Sequence, residues 1–408
     1  MSEDFPRDAL PWNGMDPVRN PYAPGAGQRP PELAGRTKQL DAFDVVLERI
    51  SRGRPERSVM LTGLRGVGKT VLLNHLRSAA RARDWGTGKL EARPDQELRR
   101  PLASALHMAV RQIAVAHRNL EMVDDFLGIL KAFALRAAVD KGMRERWQPG
   151  IDVPAVTGRA DSGDIEIDLV ELLMEAAQVA RDIGVGIAIF IDEMQDLGPA
   201  DISAICGACH ELSQEAAPLI VVGAGLPHLP AVLSASKSYS ERLFSYHRID
   251  RLDRESADLA LIAPAEREEV KFASDALDSL YLKADGYPYF VQAYGKATWD
   301  LAAQSPITAE DVELAAPAAE EELAVGFFGS RYERATPAER EYMRAMAELS
   351  GDDGPVATAA IAKELGRRPA SLSPARDGLI KKGLIYSAER GTIGFTVPHF
   401  GRYLRSVA

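Results

Sequence analysis

Apolar positions along the chain fall into two rhythms. Where they recur every three or four residues they predict helices. Leu40, Phe43, Val46, Leu47 and Ile50 share one side of such a segment, as do Leu169, Leu172, Leu173, Ala176, Ala177 and Ala180. Where they crowd into a short run they predict strands of a parallel sheet buried on both faces: Ser58 to Leu61, Gly186 to Ile191, and Pro218 to Val222. Helical segments separate these runs, which predicts an α/β layer with helices on both faces. From Arg93 to Gly184 the pattern is mostly helical, with one irregular break from Pro149 to Asp164. Residues 250–330 read as helical and acidic.

The first apolar run leads into Gly63-Leu64-Arg65-Gly66-Val67-Gly68-Lys69-Thr70, a complete G-x-x-x-x-G-K-[ST] loop. Its glycines let backbone N–H groups converge on phosphate oxygens, its lysine reaches the β and γ phosphates, and its threonine hydroxyl can ligate Mg²⁺. The following Val71 to Leu76 lacks Gly and Pro and continues into Ala79 and Ala80, so a helix N-terminus should face the phosphates. The second apolar run ends in Asp192-Glu193. At the end of a neighbouring strand, Asp192 can hold Mg²⁺ through water while Glu193 orients and deprotonates the attacking water, so the pair suggests ATP hydrolysis.

Residues 1–34 are a different kind of polymer. Pro6, Pro11, Pro17, Pro21, Pro24, Pro30 and Pro31, with Gly14, Gly25 and Gly27, exclude regular helix or central strand. Residues 1–15 read as a disordered tail and 16–34 as an extended arm in which Tyr22 could meet the nucleotide base. Arg36, where the arm joins the first helix, is grouped with the nucleotide-binding residues.

With 408 residues the chain can build two or three domains, each with its own core. No stretch approaches the ~20 charge-free apolar residues needed to span a bilayer, and Met1-Ser2-Glu3-Asp4 lacks the basic start and apolar core of a secretion signal. A cytoplasmic protein with no membrane partner is expected. Cys206-Gly207-Ala208-Cys209-His210 matches the strings used for haem attachment and for thiol redox pairs. Its helical spacing instead puts both thiols on a buried stripe.

Five strings together resemble AAA+ ATPases of the origin-recognition-like group: Pro30 to Arg36, Gly63 to Thr70, Ile191 to Leu197, Gly223 to Pro227, and Asp285 to Gln292. The resemblance implies an αβα ATPase core, a helical lid and a C-terminal winged helix that binds duplex DNA in the initiators. It divides the chain into an arm (1–34), a core (35–249), a lid (250–330) and a winged domain (331–408). Two hydrolytic features of the family depart from pattern. Gly223-Ala224-Gly225 stands where an Asn or Thr often polarises water, and Gly286-Tyr287-Pro288-Tyr289 stands where a lid arginine often begins a helix. Slow turnover follows, since two donors to the transferring phosphoryl group are missing. Arg242, in Ser238 to Phe244, is offered either as a finger into a neighbouring subunit's site, with ATP-dependent self-association, or as one half of a local salt bridge.

The C-terminal segment reads as a winged helix-turn-helix. Thr336-Pro337-Ala338-Glu339 is a capping box opening a helix with Met343, Met346 and Leu349 on its apolar side. A short helix from Thr358 to Leu365 and a third from Ser371 to Gly383 follow. Leu384-Ile385-Tyr386 and Ile393 to Val397 then flank a turn at Glu389-Arg390-Gly391 that suits a wing. Residues 331–408 carry thirteen Lys or Arg against nine Asp or Glu, a balance of +4 that leaves −14 on residues 1–330 of a chain whose formal charge is −10. Arg367, Arg368, Arg376, Lys381, Lys382 and Arg390 form a basic set that could grip duplex phosphates. The alternative is a winged helix that docks protein partners. The sequence thus predicts an ATP- and Mg²⁺-dependent switch coupled to duplex DNA, or a nucleotide-dependent signalling or scaffold protein.

Overall fold

The computed structural model describes residues 15–25, 27–94, 96–117, 123–136, 151, 153–351 and 354–407. Pro6, Pro11, Gly14 and part of the predicted irregular break lie outside these residues. Five parallel strands form the central sheet: β1 (Ser58–Thr62), β2 (Gly86–Glu91), β3 (Ile187–Asp192), β4 (Leu219–Gly225) and β5 (Phe244–Arg248), in the order β2-β3-β4-β1-β5. The three central strands are buried along their whole length, because helices cover both faces and neither face can alternate with polar residues. One face packs on the helices Thr37–Ser51 and Lys69–Ala82, with Phe43 and Phe190 edge-to-face. The other packs on Arg99–Ala116, Asp124–Arg136, Ile165–Ile183 and Pro199–Gln214.

Two strands escape the apolar-run rule. β5 is an edge strand only partly buried. β2 reads Gly-Thr-Gly-Lys-Leu-Glu, yet it pairs with β3 from Gly86↔Ile187 to Glu91↔Asp192. Its glycines are required by close approach: a Cβ on Gly86 or Gly88 would collide with the carbonyls of Ala109 or Ala105 in the helix lying across it. The loss of Cβ atoms that permits this packing also removes the apolar signal. On β4, Gly223 leaves the space filled by the sulfur atoms of Met60 and Met194.

The cysteine stripe forms as the spacing predicts, with Ile202, Ile205, Cys206, Cys209 and Leu212 all buried on Pro199–Gln214. Burial pushes the Cys206 and Cys209 thiols up to about 11 and about 12, which keeps them protonated and unreactive near neutrality. No helix among the described residues is long and apolar enough to cross a membrane.

Beyond the core, the helices Arg254–Arg267, Ser274–Ala284, Pro288–Leu301 and Ala309–Glu322 form a lid. The arm runs along it. Met15 N–H donates to the carbonyl of Ala302, Trp299 Nε1–H to that of Asp16, and Asn20 Nδ2–H to that of Lys296. The lid's last helix passes into a π-helical stretch, Leu323–Gly329, and then the short helix Ser330–Glu333. The boundary expected between residues 330 and 331 therefore falls inside continuous helical structure.

The winged domain follows. Thr336 and Glu339 close the capping box on Pro337–Leu349, whose inner side carries Tyr342, Met343 and Met346, while Leu349 is 38% exposed. The helices Thr358–Glu364 and Pro369–Lys381 and the antiparallel sheet of β6 (Val356–Ala357), β8 (Thr392–Phe395) and β7 (Ile385–Ser387) complete it, with a closing helix, Phe400–Ser406. The third helix starts at Pro369, two residues before the predicted Ser371. Gly383, at φ +63, ends it in the left-handed region where glycine carries no penalty.

Candidate functional site

A cleft of about 520 Å³ opens at the C-terminal ends of β1 and β3, where ligands bind in open α/β sheets. Its floor is Arg65 to Val71 with Asp192 and Glu193. The arm, the lid and the stretch after the lid supply its walls through residues including Gln28, Arg36, Gln292 and Phe327. Gly66 and Gly68 sit at φ +85 and +91, the backbone that turns successive N–H groups inward. Lys69 begins its helix, is 7% exposed, and donates from Nζ to the carbonyls of Gly63 and Leu64 at 2.9 and 2.8 Å. Burial holds its ammonium down to about 8, against the pull of Glu193 and Asp192.

These features match a known family. Residues 32–222 fit the model of an AAA ATPase domain, and residues 325–404 that of a domain of unknown function, DUF8462. Residues 32–222 are an AAA ATPase domain. No curated protein matches it. Among solved structures it is similar to the Thermotoga maritima RuvB Holliday junction branch migration motor, at 17% identity over 90% of this chain and 96% of that one, TM-score 0.44. It is also similar to Cdc6p of Pyrobaculum aerophilum, at 15% identity over 96% and 97%, TM-score 0.42. A third is the Aeropyrum pernix Orc1 protein in complex with DNA, at 13% identity over 92% and 93%, TM-score 0.45.

Within the AAA ATPase domain the acidic pair is built with care. Asp192 is 4% exposed, and its Oδ1 accepts the backbone N–H of Glu193 at 3.1 Å. Glu193 sits at φ +51, a strained conformation for a side-chain-bearing residue. Its Oε2 accepts from Gln195 Nε2 at 2.6 Å, and its Oε1 lies 3.8 Å from Arg65 Nη2. Gln195 Oε1 in turn accepts the N–H of Leu226 at 3.0 Å, immediately after β4. A Cβ on Gly225 would press on that same Gln195 oxygen, so the glycine at this strand end makes room for the glutamine. Lys89 of β2 donates to Asn74 Oδ1 at 2.7 Å and stands 3.9 Å from Asp192 Oδ2.

Gln195, Lys89, Glu91, Gln292, Phe327 and Arg331 are functional candidates that sequence reading missed. The faint signal for Gln195 was its place two residues beyond the acidic pair. Lys89 and Glu91 lay on an unrecognised strand, and Arg331 came from a segment with no motif.

Two predicted ligand contacts, Tyr22 and Arg36, are engaged with protein groups. Tyr22 does not line the cleft; it is 3% exposed inside the lid, donates to the carbonyl of Leu261 at 2.6 Å and meets Trp299 edge-to-face. Its polar tip needs a partner when the ring is buried, and a lid carbonyl supplies it. Arm residues after it, among them Ala23 to Gly25, Gly27 and Gln28, border the cleft. Arg36 does line it, but its guanidinium is spent on carbonyls, those of Val67 at 3.1 Å and Asp250 at 2.7 Å. It braces the P-loop against the chain entering the lid. Arg242 is exposed, just before β5, and outside its own chain's cleft.

The basic set of the winged domain is divided. Arg368 and Arg390 are exposed, at the start of the third helix and at the wing. Arg367 pairs with Glu341 at 3.1 Å, and Arg376 with the adjacent Asp377 at 2.9 Å. Lys382 donates to Glu339 Oε2 at 2.5 Å. Glu339 is only 5% exposed, and although burial raises its pKa, Lys382 and the Thr336 N–H outweigh it and hold the carboxyl low. Lys381 lines a groove with Glu97, Asp196 and Asp201 of the core. The winged domain thus lies against the ATPase domain.

Proposed function

We propose that this chain is an ATP-driven switch in which nucleotide bound between core and lid governs the position of the winged domain and its assembly on duplex DNA. The observation that carries the reading is a direct contact: the backbone N–H of Arg65, inside the P-loop, donates to the carbonyl of Thr396 in the winged domain at 2.8 Å. His228 after β4 also stacks on Tyr386 of β7, with ring centroids 6.0 Å apart. A P-loop amide that points at a winged-domain carbonyl has two possible partners, and a phosphate is the stronger acceptor. Nucleotide binding and winged-domain docking therefore compete or cooperate through one loop.

In this reading Gly63 to Thr70 hold the phosphates of ATP, Thr70 and Asp192 supply oxygens to Mg²⁺, and Glu193 accepts the proton of the attacking water. Turnover is slow, because Gln195 and Gly225 fill the place after β4 where a water-polarising side chain would stand. Arg242 serves only a neighbouring subunit, since it lies outside its own cleft, which ties any fast hydrolysis to self-association. The motif strings resembling the origin-recognition-like group, with the +4 balance of residues 331–408, favour duplex DNA as the partner. The competing reading, a winged helix that docks protein, is favoured by the pairing of Arg367, Arg376 and Lys382 with carboxylates.

Fluorescence anisotropy with duplex DNA, with and without ATP over a salt series, tests the proposal. ATP should change DNA affinity in the wild type and leave Lys69→Ala unmoved, because that variant should lose ATP affinity by orders of magnitude in calorimetry. DNA binding that is absent at every salt, with or without ATP, would transfer the case to the protein-docking reading.

A further inference from the structure

The lid lacks the arginine that its position at Tyr287-Pro288-Tyr289 would suggest, but the cleft does not lack a third cation. Arg331, on the short helix between lid and winged domain, lines it together with Arg65 and Lys69. Its guanidinium lies over the Phe327 ring, Cζ 4.4 Å from the centroid, and donates from Nη1 to the Phe327 carbonyl. Phe327 itself stacks on Tyr289 of the lid, with centroids 4.7 Å apart, and comes close to Gly66 of the P-loop. The arginine is thus fixed in direction by a stack that joins linker, lid and P-loop.

Three observations say that this cation is waiting for an anion. Arg331 forms no ion pair with a carboxylate among the described residues, and its Nε is buried with no hydrogen-bond partner. Burial, and then the neighbouring charge of Arg65, hold its pKa down to about 10, the mark of a positive charge that its surroundings do not neutralise. Finally, the helix that carries it follows directly on the π-helical stretch Leu323–Gly329, an irregularity that concentrates at functional sites.

We propose that Arg331 contacts the terminal phosphate of a nucleoside triphosphate in its own subunit, so that the presence of that phosphate is read by the linker that carries the winged domain. This rests on the nucleotide-binding reading above. A terminal γ phosphate carries roughly two negative charges on three acceptor oxygens, which suits a guanidinium fork with a free Nε–H. A nucleoside diphosphate lacks the group that this contact requires. Loss of the terminal phosphate then frees Arg331, and with it the helix that leads into Thr336 and the winged domain, only three residues beyond Glu333.

The test is calorimetric titration of the full-length wild type, Arg331→Ala and Arg331→Lys with Mg²⁺-ADP and with a non-hydrolysable Mg²⁺-ATP analogue, with thermal unfolding run alongside. The expected result is a loss of analogue affinity on the order of 10- to 100-fold in Arg331→Ala, as for removal of one charge-assisted hydrogen-bond donor. ADP affinity should stay within about twofold, and Arg331→Lys should recover part of the loss. A merely structural role would lower both affinities together or neither. Equal ratios of analogue to ADP affinity in all three proteins would overturn the role of Arg331 while leaving nucleotide binding intact. A wild type that binds neither nucleotide would overturn both readings.

Discussion

The N–H of Arg65 and the carbonyl of Thr396, 331 residues apart in sequence, meet at 2.8 Å, and the guanidinium of the same residue lies 3.8 Å from Glu193. One P-loop residue therefore touches the winged domain with its backbone and stands beside the Glu193 carboxylate with its side chain. Near Gly383 the guanidinium also fills the space that a Cβ would need. A conformational change in the loop must be felt on both sides.

This relationship predicts coupled amide exchange. Hydrogen exchange measured by mass spectrometry should change in peptides covering residues 60–72 when the ATP analogue binds, because phosphate replaces or competes with protein acceptors there. Peptides covering residues 383–398 should change in the same titration with the same midpoint. Local protection reports the opening of contiguous units, so a response confined to the P-loop would show that the winged domain does not sense the nucleotide through Arg65.

Much of the ATPase core was legible because its sequence signals and its physics coincide. β1, β3 and β4 are buried on two faces and read as apolar runs. Gly63 to Thr70 combine three residue types that phosphate binding needs at fixed spacing. Legibility failed where packing demanded the opposite of the usual signal. β2 needs Gly86 and Gly88 so that a helix backbone can approach, and its remaining residues include Lys89 and Glu91, which face the cleft. Tyr22 illustrates a different limit: an aromatic residue on a proline-rich arm fits either a base or a hydrophobic core, and only the three-dimensional path showed that its hydroxyl reaches Leu261. Arg331 stands in an unremarkable helical run, and its environment is made largely by residues distant in sequence.

Glu193 and Gln195 should separate binding from hydrolysis. In Glu193→Gln the amide keeps an oxygen for the Gln195 Nε2–H but cannot take a proton from water, so ATP affinity should hold while turnover falls by ~10²- to 10⁴-fold. Gln195→Ala leaves Glu193 free to rotate and removes the partner of the Leu226 N–H. Turnover should fall by ~10- to 100-fold, as when an outer partner of a catalytic group is removed, with a stability cost of about 1–3 kcal/mol for the unpaired amide. Phosphate release under single-turnover conditions, with binding measured separately, checks both. Wild-type turnover in Glu193→Gln would remove it as the base, and wild-type turnover in Gln195→Ala would show that Glu193 holds its place without help.

Four of the six basic residues of the winged domain should fall into two classes when replaced by alanine. Lys382 neutralises Glu339, which is nearly buried and also completes the capping box of the domain's first helix. Lys382→Ala leaves that carboxylate without its cation and should cost about 1–3 kcal/mol of stability. Adding Glu339→Gln to it should return part of the loss, and denaturant unfolding measures both. Arg368 and Arg390 are exposed, and Arg367 is held only by a surface ion pair worth at most about 1 kcal/mol. Replacing these three should leave stability nearly unchanged. On duplex DNA the triple variant should bind more weakly at every sequence, with a log-log salt slope reduced by about 0.9 for each phosphate that the protein no longer neutralises. The two sets must be compared in the same salt series, because a destabilised domain binds more weakly without changing its slope, whereas removing a cation from a phosphate changes both. If Arg367, Arg368 and Arg390 can be removed with no change in affinity or slope, this surface does not grip duplex phosphates, and its pairing with Glu341 belongs to a protein-docking face.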